Sequence, residues 1–230
     1  MQRISLFIVA LCIATGMQAQ EGLKIGLRLS PIVSSASITN ENGNDVPAEL
    51  SSKLGITYGL MMDYGFTDKI GLHTGIHIVN KGFKRSETIT LLDSGGVIEN
   101  ATQNVSMTTV EIPLALKGRS PEVTDGLYIN GLFGLSVDIS AGYKNEYDRY
   151  NPVTRLASGP GTTKNTKLIN PLNFSFIFGL GAEYEIDRVG TFNGGIFYHR
   201  GLTNMNNRSQ FGNQESIRVS YLSLDLGYFF

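Results

Sequence analysis

The chain has 230 residues, with 19 basic and 20 acidic side chains for a net charge of −1, and 27 glycines; one domain or at most two accounts for that length. It has no basic block and no acidic tail, which excludes the charge patterns of nucleic-acid binding and of solvating segments. Its single cysteine, Cys12, lies within the first 20 residues, so the remainder has no disulfide, no thiol nucleophile and no cysteine-based metal site.

Residues 1–19 read as an export signal. Arg3 supplies a positive start, Ile4 to Ala14 an apolar run, and Met17-Gln18-Ala19 a small residue before a cut between Ala19 and Gln20. The alternatives are a buried N-terminal helix or a membrane anchor, but the run is shorter than the ~20 residues a helical span needs. Lipidation at Cys12 is disfavoured by the bulky Leu11 before it and by the apolar run continuing past it. Loss of Arg3 leaves 18 basic against 20 acidic residues in a mature domain of residues 20–230. No later apolar stretch is unbroken, so if the mature chain enters a membrane it does so as a closed barrel, because open sheet edges are not tolerated in lipid.

From residue 22 onward the period is two, and eight strands are predicted. The first, 22–30, sets Leu23, Ile25, Leu27 and Leu29 against Lys24, Gly26 and Arg28. The second, 54–66, sets Leu54, Ile56, Tyr58 and Leu60 against Gly55, Thr57, Met61 and Asp63. The third, 69–82, opposes Ile70, Leu72, Thr74, Ile76 and Ile78 to Gly71, His73, Gly75, His77 and Lys81. The fourth, 105–118, opposes Val110, Ile112, Leu114 and Leu116 to Glu111, Pro113, Ala115 and Lys117. The fifth (127–140) and sixth (171–186) continue the pattern, with Asp138, Glu183 and Glu185 on the polar face. The seventh, 190–202, turns Phe192, Ile196 and Tyr198 away from Phe197 and His199, and the eighth, 216–230, turns Leu222, Leu224, Leu226 and Tyr228 away from Tyr221, Ser223, Asp225 and Phe229.

An even number of alternating strands of ten or more residues is the mark of an all-β, eight-stranded antiparallel transmembrane barrel of up-and-down topology. Its interior is narrow and filled by side chains; glycines on the polar face leave room for Met61, Phe197 and Tyr221, which with Tyr128 plug the lumen. A soluble β-sandwich or lipocalin-like barrel shows the same alternation. The leader, the strand length and the strand-filled C-terminus favour the membrane form. Connections at 31–53, 83–104, 141–170 and 203–215 alternate with shorter ones at 67–68, 119–126 and 187–189, as long outer loops alternate with short periplasmic turns. Tyr64, Phe66, Tyr184, Tyr228, Phe229 and Phe230 are expected at one membrane interface, and Phe83, Tyr143, Phe174 and Tyr198 at the other. Pro113 inside a strand predicts a bulge nearby, since a barrel has no edge on which to place it.

The segments GLKIGLRLS at 22–30, VEIPLALKG at 110–118, FIFGLGAEYE at 176–185, YHRGLTNM at 198–205 and SLDLGYFF at 223–230 resemble the outer-membrane β-barrel family of Bacteroidota that includes the PorT-like proteins. The resemblance covers residues 22–230 and implies a barrel in the outer membrane of a Gram-negative cell envelope. It implies no single activity: some relatives serve secretion and gliding machinery. Phe230, after Leu224, Leu226 and Tyr228, is similar to the terminal signal read by the barrel-insertion machinery.

Chemistry is sparse. His73, His77 and His199 face inward with Asp63, Asp138, Glu183 and Asp225. Two histidines four apart on a strand are separated by about 13 Å of backbone, too far to share one ion. Ser136 and Ser223 lie in strands with no histidine paired to them by spacing, as acyl transfer needs. The reading is therefore a non-enzymatic barrel with no catalytic, cofactor-binding or metal-ligating residue and no cofactor. The inward Lys24, Arg28, Lys81 and Lys117 answer Asp63, Glu111, Asp138, Glu183, Glu185 and Asp225 in a core of salt bridges. Expected partners are outer-membrane lipid, the insertion machinery and an envelope protein met through loops or turns, with no nucleic acid; a secretion component or small-solute channel is the alternative.

Overall fold

A computed structural model describes residues 22–40, 42–46, 49–91, 96–148, 150–151, 156–157, 159–207 and 215–230; the leader read over 1–19 lies outside them. Eight long strands carry the described fold: β1 Leu23–Thr39, β2 Glu49–Gly65, β3 Ile70–Leu91, β4 Gly96–Arg119, β5 Leu127–Tyr147, β6 Leu172–Ile186, β7 Gly190–Gly201 and β8 Ser216–Phe229. Each pairs antiparallel with the next, and β1 pairs with β8 from Gly26↔Phe229 to Thr39↔Ser216, closing the ring. Closure gives every strand two neighbours, which is why this sheet is stable in lipid. Between β5 and β6, Gly161–Thr163 adds to β5, Tyr150–Asn151 pairs with Leu156–Ala157, and Thr166–Leu168 forms one 3-10 turn. Among the described residues no helix is long and apolar enough to cross a membrane.

The predicted faces hold through the band that meets lipid. Leu27, Leu60, Ile76, Leu114, Leu135, Ile196 and Leu224 are each half exposed or more, while Arg28, His77, Glu111, Asp138 and Asp225 are buried inside. Close packing explains two glycine pairs. A Cβ on Gly227 or Gly26 would lie 2.4 or 2.9 Å from the Met61 methyl, and one on Gly179 or Gly195 would lie 2.6 Å from the Phe197 ring. Two large side chains thus fill the lumen because glycine stands opposite each.

Four expectations need correction. The first concerns the long connections. β1 runs on to Thr39, β2 starts at Glu49, β3 and β4 continue as a hairpin to Leu91 and Gly96, and β5 reaches Tyr147. Segments 31–53 and 83–104 are therefore largely strand. The cause is an inversion of chemistry without a change of phase. Along β4 the outward residues pass from Leu116, Leu114, Ile112 and Val110 to Thr108, Ser106 and Asn104, while the inward ones pass from Lys117 and Glu111 to Met107, Val105 and Ala101. Beyond the lipid the outer face meets water, so burial selects apolar residues inside instead of outside. Ile38, Phe83, Val105, Met107, Met205 and Val219 form an ordinary apolar core there.

The second and third corrections follow from it. Phe83 and Phe229 are buried inward, and Tyr143 packs on the inner apolar core, so none of the three belongs to an interface girdle. Tyr64, Phe66, Phe174 and Tyr184 do face outward. The last concerns Pro113, which pairs with Ser136 of β5 without a register change; the β4–β5 bulge lies between Thr108 and Thr109, across from Ala141. Toward β3 the ladder skips from Thr74↔Leu114 to His77↔Glu111 in unchanged register. The missing N–H is absorbed as a gap in the ladder, and the extra residue sits where the outer face turns polar.

Candidate functional site in the barrel interior

Inward side chains of all eight strands meet on the barrel axis in three tiers. At the short-turn end Lys117 of β4 bridges Asp63 of β2 and Glu183 of β6. Arg119 lies 3.3 Å from Glu183 and 2.7 Å from Glu185, and Lys24 lies 2.5 Å from Glu185. The Arg119 guanidinium also stacks over Tyr128 at 3.5 Å from the ring centre, a cation–π contact that fixes it. His73 Nδ1 stands 2.6 Å from Asp63.

The middle tier is drier. Arg28 of β1 donates to Asp225 of β8 at 2.7 Å and to Ser223 at 3.3 Å. It also contacts His77 Nδ1 at 3.1 Å. A guanidinium only donates, so His77 Nδ1 accepts and its proton sits on Nε2. Glu111 accepts the Tyr221 hydroxyl at 2.7 Å and lies 3.4 Å from His199 Nδ1. His199 stacks on Tyr221 with ring centres 4.1 Å apart. Above them Lys81 donates to Asp138 at 2.7 Å, and Ser175 donates to the same carboxylate at 3.1 Å. The inner side chains of Ile32, Val79 and Tyr221 then lead to the apolar core of the long-loop end.

The structure pairs the inward charges that the sequence placed on one face, matching Lys24 with Glu185, Arg28 with Asp225, Lys81 with Asp138, and Lys117 with Asp63 and Glu183. It moves the histidines closer than backbone spacing suggested, since the His73 and His77 rings lean to 6.4 Å between centres. Among the described residues, no three His, Cys, Asp or Glu side chains form a group that could hold a metal ion. Ser136 donates to the Asp138 carboxylate and Ser223 to the Phe197 carbonyl, neither to a histidine. Two members were missed from sequence. Arg119 was assigned to a turn, one residue beyond the strand's alternation, and Tyr221 was read as filler although its hydroxyl satisfies Glu111. Alternation reports facing, not which partner a long side chain reaches.

The packing leaves little room. The gap among Arg28, Met61, His73, Lys117, Asn130 and Phe229 measures about 10 Å³, space for one water at most. Glu111 and His77 are fully buried. The arrangement cross-links strands across the axis, and at the short-turn end Lys24, Asp63, Lys117, Arg119 and Glu183 line a recess of about 230 Å³.

Residues 18–226 match the family model described as outer membrane protein beta-barrel domain. The chain belongs to this family. It is an outer-membrane protein that crosses the bilayer several times as a β-barrel, embedded in the lipid its outer face requires. Similar solved structures include OprG from Pseudomonas aeruginosa, at 15% identity over 91% of this chain and 96% of that one with a TM-score of 0.43. Ail of Yersinia pestis, in complex with the heparin analogue sucrose octasulfate, is 11% identical over 92% of this chain and 100% of its own with a TM-score of 0.37. Neisserial surface protein A is 9% identical over 89% and 97% with a TM-score of 0.41. No curated protein sequence matches the chain.

Proposed function

We propose that the protein is a sealed structural and interaction barrel with no enzymatic activity, which meets an envelope protein through its long-loop end or its short turns. The observation that carries this reading is the lumen, packed with Met61, Phe197 and Phe229 and crossed by salt bridges linking seven strands. The hairpin of β3 and β4 supports it by offering a surface. β3 alone has 22 residues, about 70 Å of strand at ~3.3 Å per residue, whereas a tilted crossing needs about 9–11 residues. The long-loop end faces outside the cell in this reading, following the alternation of loop lengths. Pure monomer in a planar bilayer should give no stable conductance, and affinity capture from envelopes should recover a defined protein. Steady nanosiemens-scale currents from monomer would replace this reading with a channel.

The PorT-like segments, the pairing of EIPLALK at 111–117 with GLTN at 201–204 above all, support placing the protein in a Bacteroidota envelope and its partner in a secretion or gliding assembly; a capture lacking any secretion component removes that refinement. Residues 1–19 direct export in the same reading, so N-terminal sequencing of membrane-extracted protein should begin at Gln20. A retained Met1 contradicts it.

A further inference from the structure

The outer surface just beyond the lipid-facing band carries charges that the sealed interior does not explain. Lys53 of β2 adjoins Leu54, the most exposed apolar side chain of that strand at 80%. Its ammonium donates to Asn104 Oδ1 at 2.7 Å and to Ser106 Oγ at 2.6 Å, so it is held in place by neutral groups. In the β3–β4 register Lys84 is directly across from Asn104, and in the β4–β5 register Glu146 is across from Asn104 and Lys144 across from Ser106. Three lysines of three strands therefore surround one asparagine on one face of the sheet. Among the described residues one carboxylate answers them: Glu146 receives Lys144 at 2.6 Å and the Asn104 amide at 3.1 Å.

We propose that Lys53, Lys84 and Lys144 form a binding site for the phosphates of lipopolysaccharide in the outer leaflet. It rests on the orientation proposed above. Long cationic side chains at the edge of a bilayer place their heads at the level of the lipid headgroups, and clustered lysines at that level attract anionic ones. The site is continuous with the apolar band, so one lipid meets both: acyl chains against Leu54 and Ile78, phosphate against the ammoniums. Asn104 and Ser106 fix the Lys53 ammonium before the lipid arrives, which lowers the ordering cost of binding. The electrostatics agree. Burial pushes the Lys53 ammonium below its ordinary range, and the neighbouring Lys84 and Lys144 push it the same way against the pull of Glu146. The Lys144 hydrogen bond and charge, first among several, hold the Glu146 carboxyl below the usual carboxylate range. Glu146 is thus ionised at neutral pH and occupies Lys144 until a phosphate displaces it.

The test uses folded mature barrel in neutral detergent, titrated with fluorescent lipopolysaccharide and read by anisotropy. Wild type should bind, and the triple variant Lys53→Gln, Lys84→Gln, Lys144→Gln should bind about tenfold more weakly or worse. The triple arginine variant should retain binding, and Glu146→Gln should tighten it by freeing Lys144. Phosphatase-treated lipopolysaccharide and phosphatidylglycerol micelles should both bind at least about tenfold more weakly than the native lipid. Equal binding by the glutamine variant, by dephosphorylated lipid or by phosphatidylglycerol overturns the site, as does an unchanged or weakened affinity in Glu146→Gln, which is measurable even where the triple variant does not fold. Binding in detergent is indifferent to orientation, so a cysteine at the outward Ser37, probed with an impermeant label on intact cells, separates the two ideas. Labelling there supports the outer-leaflet assignment; absence of labelling with phosphate binding intact overturns the orientation and leaves an anion site on the opposite leaflet.

Discussion

The interior ion pairs differ in what their loss would do. Arg28 and Asp225 both have less than a tenth of their side-chain surface exposed, and the pair joins the first strand to the last. Removing one partner leaves a buried charge with nothing equivalent to replace it. Asp225→Ala should therefore destabilise the barrel by about 3–5 kcal/mol, while the double change Arg28→Met with Asp225→Leu should recover much of that loss, because a well-packed apolar pair avoids the desolvation penalty. Reversible urea unfolding in lipid vesicles measures both; a single variant as stable as wild type would show that Ser223 and His77 suffice for Arg28. The sequence made the inward position of both residues legible through alternation. It did not make their pairing legible, because partners 197 residues apart are set by how the ring closes. His77 and His73 teach the same lesson in reverse: their backbone spacing was right, and the tilt of the rings was invisible.

At the level of the strand, the decisive quantity is which solvent each face meets. Ile196 on β7 lies across from Leu180 and Leu224 in the middle of the apolar band. Ile196→Arg should cost on the order of 2–4 kcal/mol at mid-membrane. Ser37→Arg, equally outward but on the part of β1 beyond the lipid, should change stability by less than about 0.5 kcal/mol. Equal costs at the two sites would mean that the apolar band reaches further than Leu54 and Val33 mark. This boundary also explains what the sequence concealed. Strand existence, facing and order could be read wherever apolar residues recur outside. Beyond Thr108 on β4 or Val33 on β1 the same two-residue period continues with the apolar residues inside, so a reading tuned to one polarity stops there. A second pass for the opposite polarity would have found Ile32 and Ile38 on β1 and Val105 and Met107 on β4.

For the whole molecule, the eight alternating segments carried the strand count, the order of long and short connections agreed with it, and closure of β8 on β1 completes it. Removing residues 216–230 should leave β1 and β7 with unpaired edges and Arg28 without Asp225. The expected result is no heat-resistant folded monomer on a gel and accumulation of the chain before insertion; a stable inserted species of the shortened chain would mean that seven strands can close. The Arg28–Asp225 bond carries a further consequence, in time. It spans the seam, so it forms only when the two ends of the chain meet, the costliest contact of the fold to reach because so much chain lies between. Until then Arg28 and Asp225 are two unmatched ions near opposite ends of the chain, and afterwards one neutral pair. The interior therefore records in the pairing of its charges whether the ring has shut, and a chain released too early bears both ions unmatched as a mark of incompletion.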